Sequence, residues 1–288
     1  MAYGDVHPGY RGLADIATIG NVRFGDASIS AKQAVDAPDL IMGDWDHDAY
    51  VYGKVEVGGT ISGPVTETFT KNNGLWQWGT HREGDCGELS AHDITLYYYC
   101  GGSQNNTRTF SNMLVNSIGF SCAAGDVAQF NMDLMGTYAG TWSSQIPPHF
   151  TTAEKLITWD IVSVSISVGD EHFTVPSNIA YSNFDFTVAN NLTPVYSLGQ
   201  NATVGLFPFD IVSGLRTITG SISVYDTPNS DGVDFWTQYE AANVSTINFN
   251  IGTLSLSMYV RFHRVEPAST VGPVISTIGF TGVSHQSF

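Results

Sequence analysis

The clearest alternation of apolar and polar positions runs from Val162 to Val168, where Val162, Val164, Ile166 and Val168 interleave with Ser163, Ser165 and Ser167. Period-two patterning predicts a strand with one face buried and the other in water. Ala27-Ser28-Ile29-Ser30-Ala31 alternates in the same way. So does Tyr52 to Gly63, with Val55, Val57, Gly59 and Ile61 as its inward set. Ile94 to Cys100 reads as a further strand. Ser111 to Phe120 and Val127 to Leu134 read as a closing hairpin, with Gly125-Asp126 at the turn. Ala37-Pro38-Asp39 marks another turn. Helical spacing is confined to two segments. Leu75, Trp76 and Trp78 predict a short helix within residues 66–93, and Phe235, Trp236 and Tyr239 lie on one face of a helix over Val233–Ala242.

The pattern also repeats. Gly59-Thr60-Ile61-Ser62 returns as Gly220-Ser221-Ile222-Ser223, 161 residues on (220 − 59). Ile94-Thr95-Leu96-Tyr97-Tyr98-Tyr99 returns as Leu254-Ser255-Leu256-Ser257-Met258-Tyr259, and Ser117-Ile118-Gly119-Phe120-Ser121 as Thr277-Ile278-Gly279-Phe280-Thr281. Three matches in one order and nearly one register predict an internal duplication. Phe184, Phe186 and Val188 then take the places of Ala27, Ile29 and Ala31. Ile218, Gly220, Ile222 and Val224 take those of Val57, Gly59, Ile61 and Gly63. Each copy reads as strands, one amphipathic helix, then strands. The expected architecture is mainly β: two tandem, related β-sandwich or barrel domains, each with one flanking helix. The boundaries expected are a glycine-rich N-terminal arm over 1–20, a first domain over 21–138, a linker over 139–160 stiffened by Pro147-Pro148, and a second domain over 161–288.

Composition narrows the function. With 288 residues the chain can bury a real core as one large or two ordinary domains. Apolar residues are 42%, but charged residues only 13%, so the surface is largely Ser, Thr, Asn, Gly and backbone. That suits a β protein with extensive protein contact better than a free, highly charged enzyme. The 27 Asp and Glu against 11 Lys and Arg leave a net charge of −16. Such a chain should not hold nucleic acid through phosphates, although it could surround a duplex without adhering to it. Cys86, Cys100 and Cys122 are odd in number and unpaired in spacing, which favours buried thiols over a disulfide scaffold. Met1-Ala2-Tyr3-Gly4-Asp5 has neither a basic start nor an apolar core, so no signal peptide is expected. No run approaches the ~18 apolar residues of a membrane span, so no membrane partner is expected either. The chain reads as one made and kept in a cytoplasm until released.

No catalytic constellation emerges, and no cofactor or metal is expected. Asp44, Asp46 and Asp48 have the odd spacing of a calcium loop but lack its glycine and its closing glutamate, so an acidic solvent loop is the better reading. His81, Glu83, Asp85, Cys86 and Glu88 cluster without a zinc spacing and have no counterpart in the second copy. No Gly-x-Ser-x-Gly elbow or phosphate loop is present. Tyr97, Tyr98, Tyr99, Trp236 and Tyr239 could stack sugars, but aromatic residues more often fill cores and interfaces.

Phe184-Asp185-Phe186-Thr187-Val188-Ala189-Asn190-Asn191-Leu192 resembles the strand-plus-Asn start of a bacteriophage tail tube domain. Ser213-Gly214-Leu215-Arg216-Thr217-Ile218-Thr219-Gly220-Ser221-Ile222-Ser223-Val224-Tyr225 resembles the next strand of that family, which leads into a flanking helix. Ala27 to Gln33 and Tyr52 to Ser62 carry a similar pattern in the first copy, with a longer insertion after Gly63. The resemblance covers most of 21–135 and 178–283. It implies β-barrel-like domains that pack into six-fold rings, and rings that stack into a tube through which the genome passes. A duplicated subunit then supplies two of six positions, so three chains close a pseudo-hexameric ring. The partners implied are further copies of the chain, other tail proteins (a sheath if the tail contracts, a terminator, a baseplate or tip) and phage DNA that passes without specific binding. The location implied is the virion tail, assembled in the host cytoplasm. An acidic lumen would leave the duplex free to slide, although acidity can also serve solubility alone. Two other readings compete: another virion β protein (decoration, neck or fibre) and a carbohydrate-binding β-sandwich.

Overall fold

The computed structural model describes residues 12–17, 19–36, 51–67, 69, 74–83, 88–99, 105–144, 155–168, 180–197, 206–226, 244–268 and 274–283. Strands β1 (Gly12–Ile16), β2 (Gly20–Phe24), β3 (Asp26–Ala27), β4 (Ser30–Asp36) and β5 (Val51–Pro64) precede helix α1 (Gly74–Thr80). After it come β6 (Arg82–Glu83), β7 (Glu88–Leu89), β8 (His92–Tyr99), β9 (Asn105–Ala123), β10 (Gln129–Gly136), β11 (Tyr138–Ala139) and β12 (Ser143–Ser144). The second half holds β13 (Val162–Val168), β14 (Tyr181–Ala189), β15 (Thr193–Val195), β16 (Asp210–Val212), β17 (Thr217–Asp226), β18 (Ser245–Ile251), β19 (Leu254–Ala268) and β20 (Val274–Gly282). The fold is mainly β, as the alternation predicts. Every strand pair among the described residues is antiparallel.

The two halves run through the same strand order. Across the first half the neighbours are β3/β4, β5, β10, β9, β8, β1. Across the second they are β14, β17, β20, β19, β18, β13. The order along the chain also corresponds, with β3/β4 and β14 each second in its set and β10 and β20 each last. Residues match as well as strands. Ile61 lies between Ala27 and Met132, and Ile222 lies between Phe184 and Ile278. β9 and β19 both shift register against their partners, around Asn116 and His263 respectively.

This order re-sorts two of the three sequence matches. The glycine match falls on equivalent strands, β5 and β17. The match of Ile94–Tyr99 with Leu254–Tyr259 sets β8 against β19, and that of Ser117–Ser121 with Thr277–Thr281 sets β9 against β20. The sheet instead places β8 with β18 and β9 with β19. Each of these matches is one strand out. Alternating strands resemble one another because a period of two carries no strand identity.

The repeated glycine has a steric cause. A Cβ on Gly59 would lie 2.4 Å from the Ser28 carbonyl oxygen and 2.8 Å from the Ile29 Cα. A Cβ on Gly220 would lie 2.5 Å from the Asp185 oxygen and 2.8 Å from the Phe186 Cβ. At both sites the neighbouring strand approaches too closely for any other residue. The adjoining hydroxyls correspond too. Thr60 Oγ1 bonds Ser28 Oγ at 2.9 Å, and Ser221 Oγ donates to Asp185 Oδ1.

The Trp76 segment is α1, with Leu75, Trp76 and Trp78 buried. The hairpin of β9 and β10 turns at Gly125, φ 94°. In β13, Ile166 is buried while Ser163, Ser165 and Ser167 are exposed. Gly12–Ile16, expected in the arm, pairs with β8 as a sheet strand. Part of the expected linker is inserted into the fold: Ile157 is buried, donates its N–H to the Val65 carbonyl and accepts from Ala128. The helix expected over Val233–Ala242 lies outside the described residues, as do Pro147 and Pro148.

Candidate assembly surface

The two halves meet edge to edge and form one sheet. Seven residues of β14, Asn183 to Ala189, pair with Ala123 to Ser117 of β9. The ladder continues at both ends, with Ala124 N–H donating to the Ser182 oxygen at 2.8 Å and Asn190 N–H to the Asn116 oxygen at 2.7 Å. Behind this seam the cores merge. The Phe120 and Phe186 rings are 5.6 Å apart across it, Trp76 reaches both, and Phe186 continues to Phe249 at 4.7 Å. Aromatic contacts of this kind add to plain area burial.

A polar lock closes one end of the seam. Asn190 is fully buried, and its Nδ2 donates to the carbonyl oxygens of Gly79 (2.8 Å) and Val115 (2.9 Å). Its Oδ1 accepts from Arg216 Nε at 3.4 Å, and Arg216 Nη2 donates to the Thr80 oxygen. One residue of the second half thus satisfies two carbonyls of the first, at the end of α1 and in β9. Helix ends leave such carbonyls without intrahelical partners. Arg82 returns the contact, donating from Nη2 to the Gly214 oxygen at 2.9 Å. Burial first, and the Arg82 guanidinium second, push the Arg216 pKa down to about 10, which leaves it cationic near neutral pH. Asn116 adds a further tie, accepting from Leu192 N–H at 2.9 Å and donating to Asp133 Oδ2 at 2.6 Å. Asn191 turns the chain away with φ 53°, a conformation asparagine tolerates.

A short hairpin of β15 and β16 laps over the first half. Leu192 and Ile211 pack with Leu114. Tyr196 Oη donates to the Val55 oxygen at 3.3 Å, and the Tyr138 ring lies 5.0 Å from that of Phe207, tilted by 57°.

The outer margins of the sheet differ from the seam. Among the described residues β3 and β4 pair only with β5, and beyond Val260 the strand β19 pairs only with β20. Each carries backbone donors and acceptors on an unpaired side, the arrangement that invites another strand.

His81 and Glu88 are exposed, and the Asp44–Asp48 loop, Asp85, Cys86 and Cys100 lie outside the described residues. Among the described residues no group of three His, Cys, Asp or Glu is placed to hold a metal ion. Cys122 is a buried free thiol at the seam, its pKa raised by burial and by Asp126. Tyr97 is buried. No helix among the described residues is long and apolar enough to cross a membrane.

The architecture is that of a mainly β protein in which a buried polar network joins the two halves. The chain belongs to a phage tail tube protein family, whose model matches residues 3–282. Membership implies a structural role in the virion tail. No curated protein matches this chain. Asn190, at the end of the segment that resembles the family pattern, holds the lock. A lone asparagine after a strand carries no such message in sequence.

Proposed function

We propose that the chain polymerises into rings that stack head to tail as the tail tube, the conduit through which the genome leaves the capsid. It does so as two tandem, related β-sandwich or barrel domains, each with a flanking helix, and without catalysis. One observation carries the reading: two units of identical strand order are joined edge to edge by the β9–β14 seam. A chain built this way leaves one edge of each kind unfilled at its margins. Contact between unlike edges is heterologous, and it closes into a ring when the rotation allows. Three chains then supply six equivalent units. Stacking of rings along the axis remains open-ended, which gives a tube. Other tail proteins terminate and anchor it, and assembly takes place in the host cytoplasm.

The net charge of −16 supports passage rather than capture of DNA. A lumen short of Lys and Arg gains little from counterion release and leaves the duplex mobile. Electron microscopy of the purified, concentrated protein in negative stain tests the proposal. Hollow rings or tubes of uniform bore are expected, with three-fold order in averaged top views. A protein that stays monomeric at every concentration, and also in the presence of tail-tip components, would sink it.

A further inference from the structure

We infer that the outer edge of β3 and β4 in one copy of the chain pairs antiparallel with the second half of β19 in the neighbouring copy, in the register that sets Ala31 opposite Val265. The inference rests on the ring reading above and deepens it to the level of residues. Its template is the internal seam.

Three correspondences transfer the seam register to the margins. Val188 lies opposite Ile218 in the second half as Ala31 lies opposite Val57 in the first, so Ala31 stands in the place of Val188. Ile118 lies opposite Met132 as Val265 lies opposite Ile278, so Val265 stands in the place of Ile118. Across the seam Ile118 faces Val188. Val265 therefore faces Ala31, and by the same step Pro267 faces Ile29 and Glu266 faces Ser30. Among the described residues the required side of each strand is open. On β9 the strands β8 and β14 follow one another along one side, and β10 lies on the other. On β19 the strand β18 ends at Val260, and the side beyond it has no partner among the described residues.

Pro267 fits a strand edge. The bonds from Ala124 and Asn190 set the parity of the seam, so Ile118 and Phe120 exchange bonds with β14. Pro267 occupies the place of Phe120, at a position that needs no donor toward β20 and faces the open side. Proline is tolerated in a sheet on such an edge. The joint between chains thus has one N–H donor fewer than the seam within them. The missing donor discourages indiscriminate strand addition before assembly.

The lock has a counterpart as well. Asn190 is two residues past Val188, and Gln33 is two past Ala31. Gln33 is exposed at the margin, and Phe262 stands where Val115 stands. In the joint Gln33 stands beside Phe262 of the neighbouring copy, as Asn190 stands beside Val115.

Disulfide trapping tests the register. Ser30 and Glu266 fall at a non-bonded pair, where Cα atoms are ~4.5 Å apart and a disulfide fits. The full-length Ser30→Cys/Glu266→Cys variant, assembled and then oxidised, should give covalent dimers and trimers that vanish on reduction. The Ala31→Cys/Glu266→Cys variant, one residue out of register, should give neither. The single variants control for the natural thiols. Mixing the two single variants should give covalent dimers and nothing larger, a result that does not depend on the double variant folding. Rings or tubes without the Ser30–Glu266 cross-link, or with it only in the shifted pair, overturn the inference and leave the ring reading intact. Failure of the unsubstituted protein to assemble, also with tail-tip components present, overturns the two together.

Discussion

Strand β14 and the β3–β4 margin hold the same place in their halves, yet among the described residues one is sealed and the other open. On β14, Phe186 is 1% exposed, backed by Phe120 and Trp76 of the other half and by Phe249 of its own. Its counterpart Ile29 is 4% exposed and lies opposite Gly59 with no strand on its far side among the described residues. Aromatic bulk thus accompanies the joint made within the chain, and a smaller branched residue the margin where a joint would be made between chains. An edge that must persist in a free subunit cannot present large rings to water.

The largest effect expected from breaking this comparison is that of Phe186→Ala. Truncating a fully buried phenylalanine costs about 3–5 kcal/mol. Because Phe186 touches the core on both sides of the seam, the variant should also split a single denaturant transition into two, followed by tryptophan fluorescence. Ile29→Ala should cost less, about 2–3 kcal/mol, and keep one transition. A single unsplit transition in Phe186→Ala would mean the halves are coupled by the hairpin of β15 and β16 rather than by the aromatic seam.

Next in size is the pair Asn190→Ala and Gln33→Ala. Removing the Asn190 amide strands the Gly79 and Val115 carbonyls in a buried site, a loss of about 3 kcal/mol, read as a fall in the urea midpoint. Gln33 is exposed, so its replacement should change the isolated chain by no more than about 0.5 kcal/mol. Its effect should instead raise the protein concentration at which rings appear by light scattering. If Gln33→Ala assembled like the parent, the correspondence between lock and margin would fail at that residue.

Strand existence was legible along most of the described chain because alternation reports burial directly. Val55, Val57 and Ile61 are buried as their spacing predicts. The glycine match was legible because a close backbone approach leaves one admissible residue, so Gly59 and Gly220 carry position as well as type. The other two matches slipped by a strand because Leu256 and Ile247 satisfy the same alternation in an alignment with Leu96. Local pattern cannot count strands in a sheet. The insertion of Ile157 was hidden by its setting near Pro147-Pro148, a composition that reads as linker. The polar lock was the least visible element. Asn190, Arg216 and the carbonyls of Gly79, Val115 and Thr80 come from distant parts of the chain, and three of the five groups are backbone atoms that no sequence displays.

The smallest effect concerns the far end of the seam, where Tyr181 stands in the place of Phe24: Tyr181 lies opposite Val224, and Phe24 lies against Gly63. Burial pushes the Tyr181 pKa up to about 12 from an ordinary value of 10. Below pH 10 the phenol is neutral in both folded and unfolded chains, and its contribution is fully present. As pH rises toward about 12 the unfolded chain releases the proton first, so the folded state loses ground through that window. Because the ring is partly solvated, the loss should be only ~1–2 kcal/mol. Tyr181→Phe, which copies the first half, lacks the titrating group. Its stability should match the parent near neutral pH and exceed it increasingly between pH 10 and 12, read as the difference in urea midpoints. Parallel curves for the two proteins across that window would show that Tyr181 is solvated in solution and that this end of the seam is open.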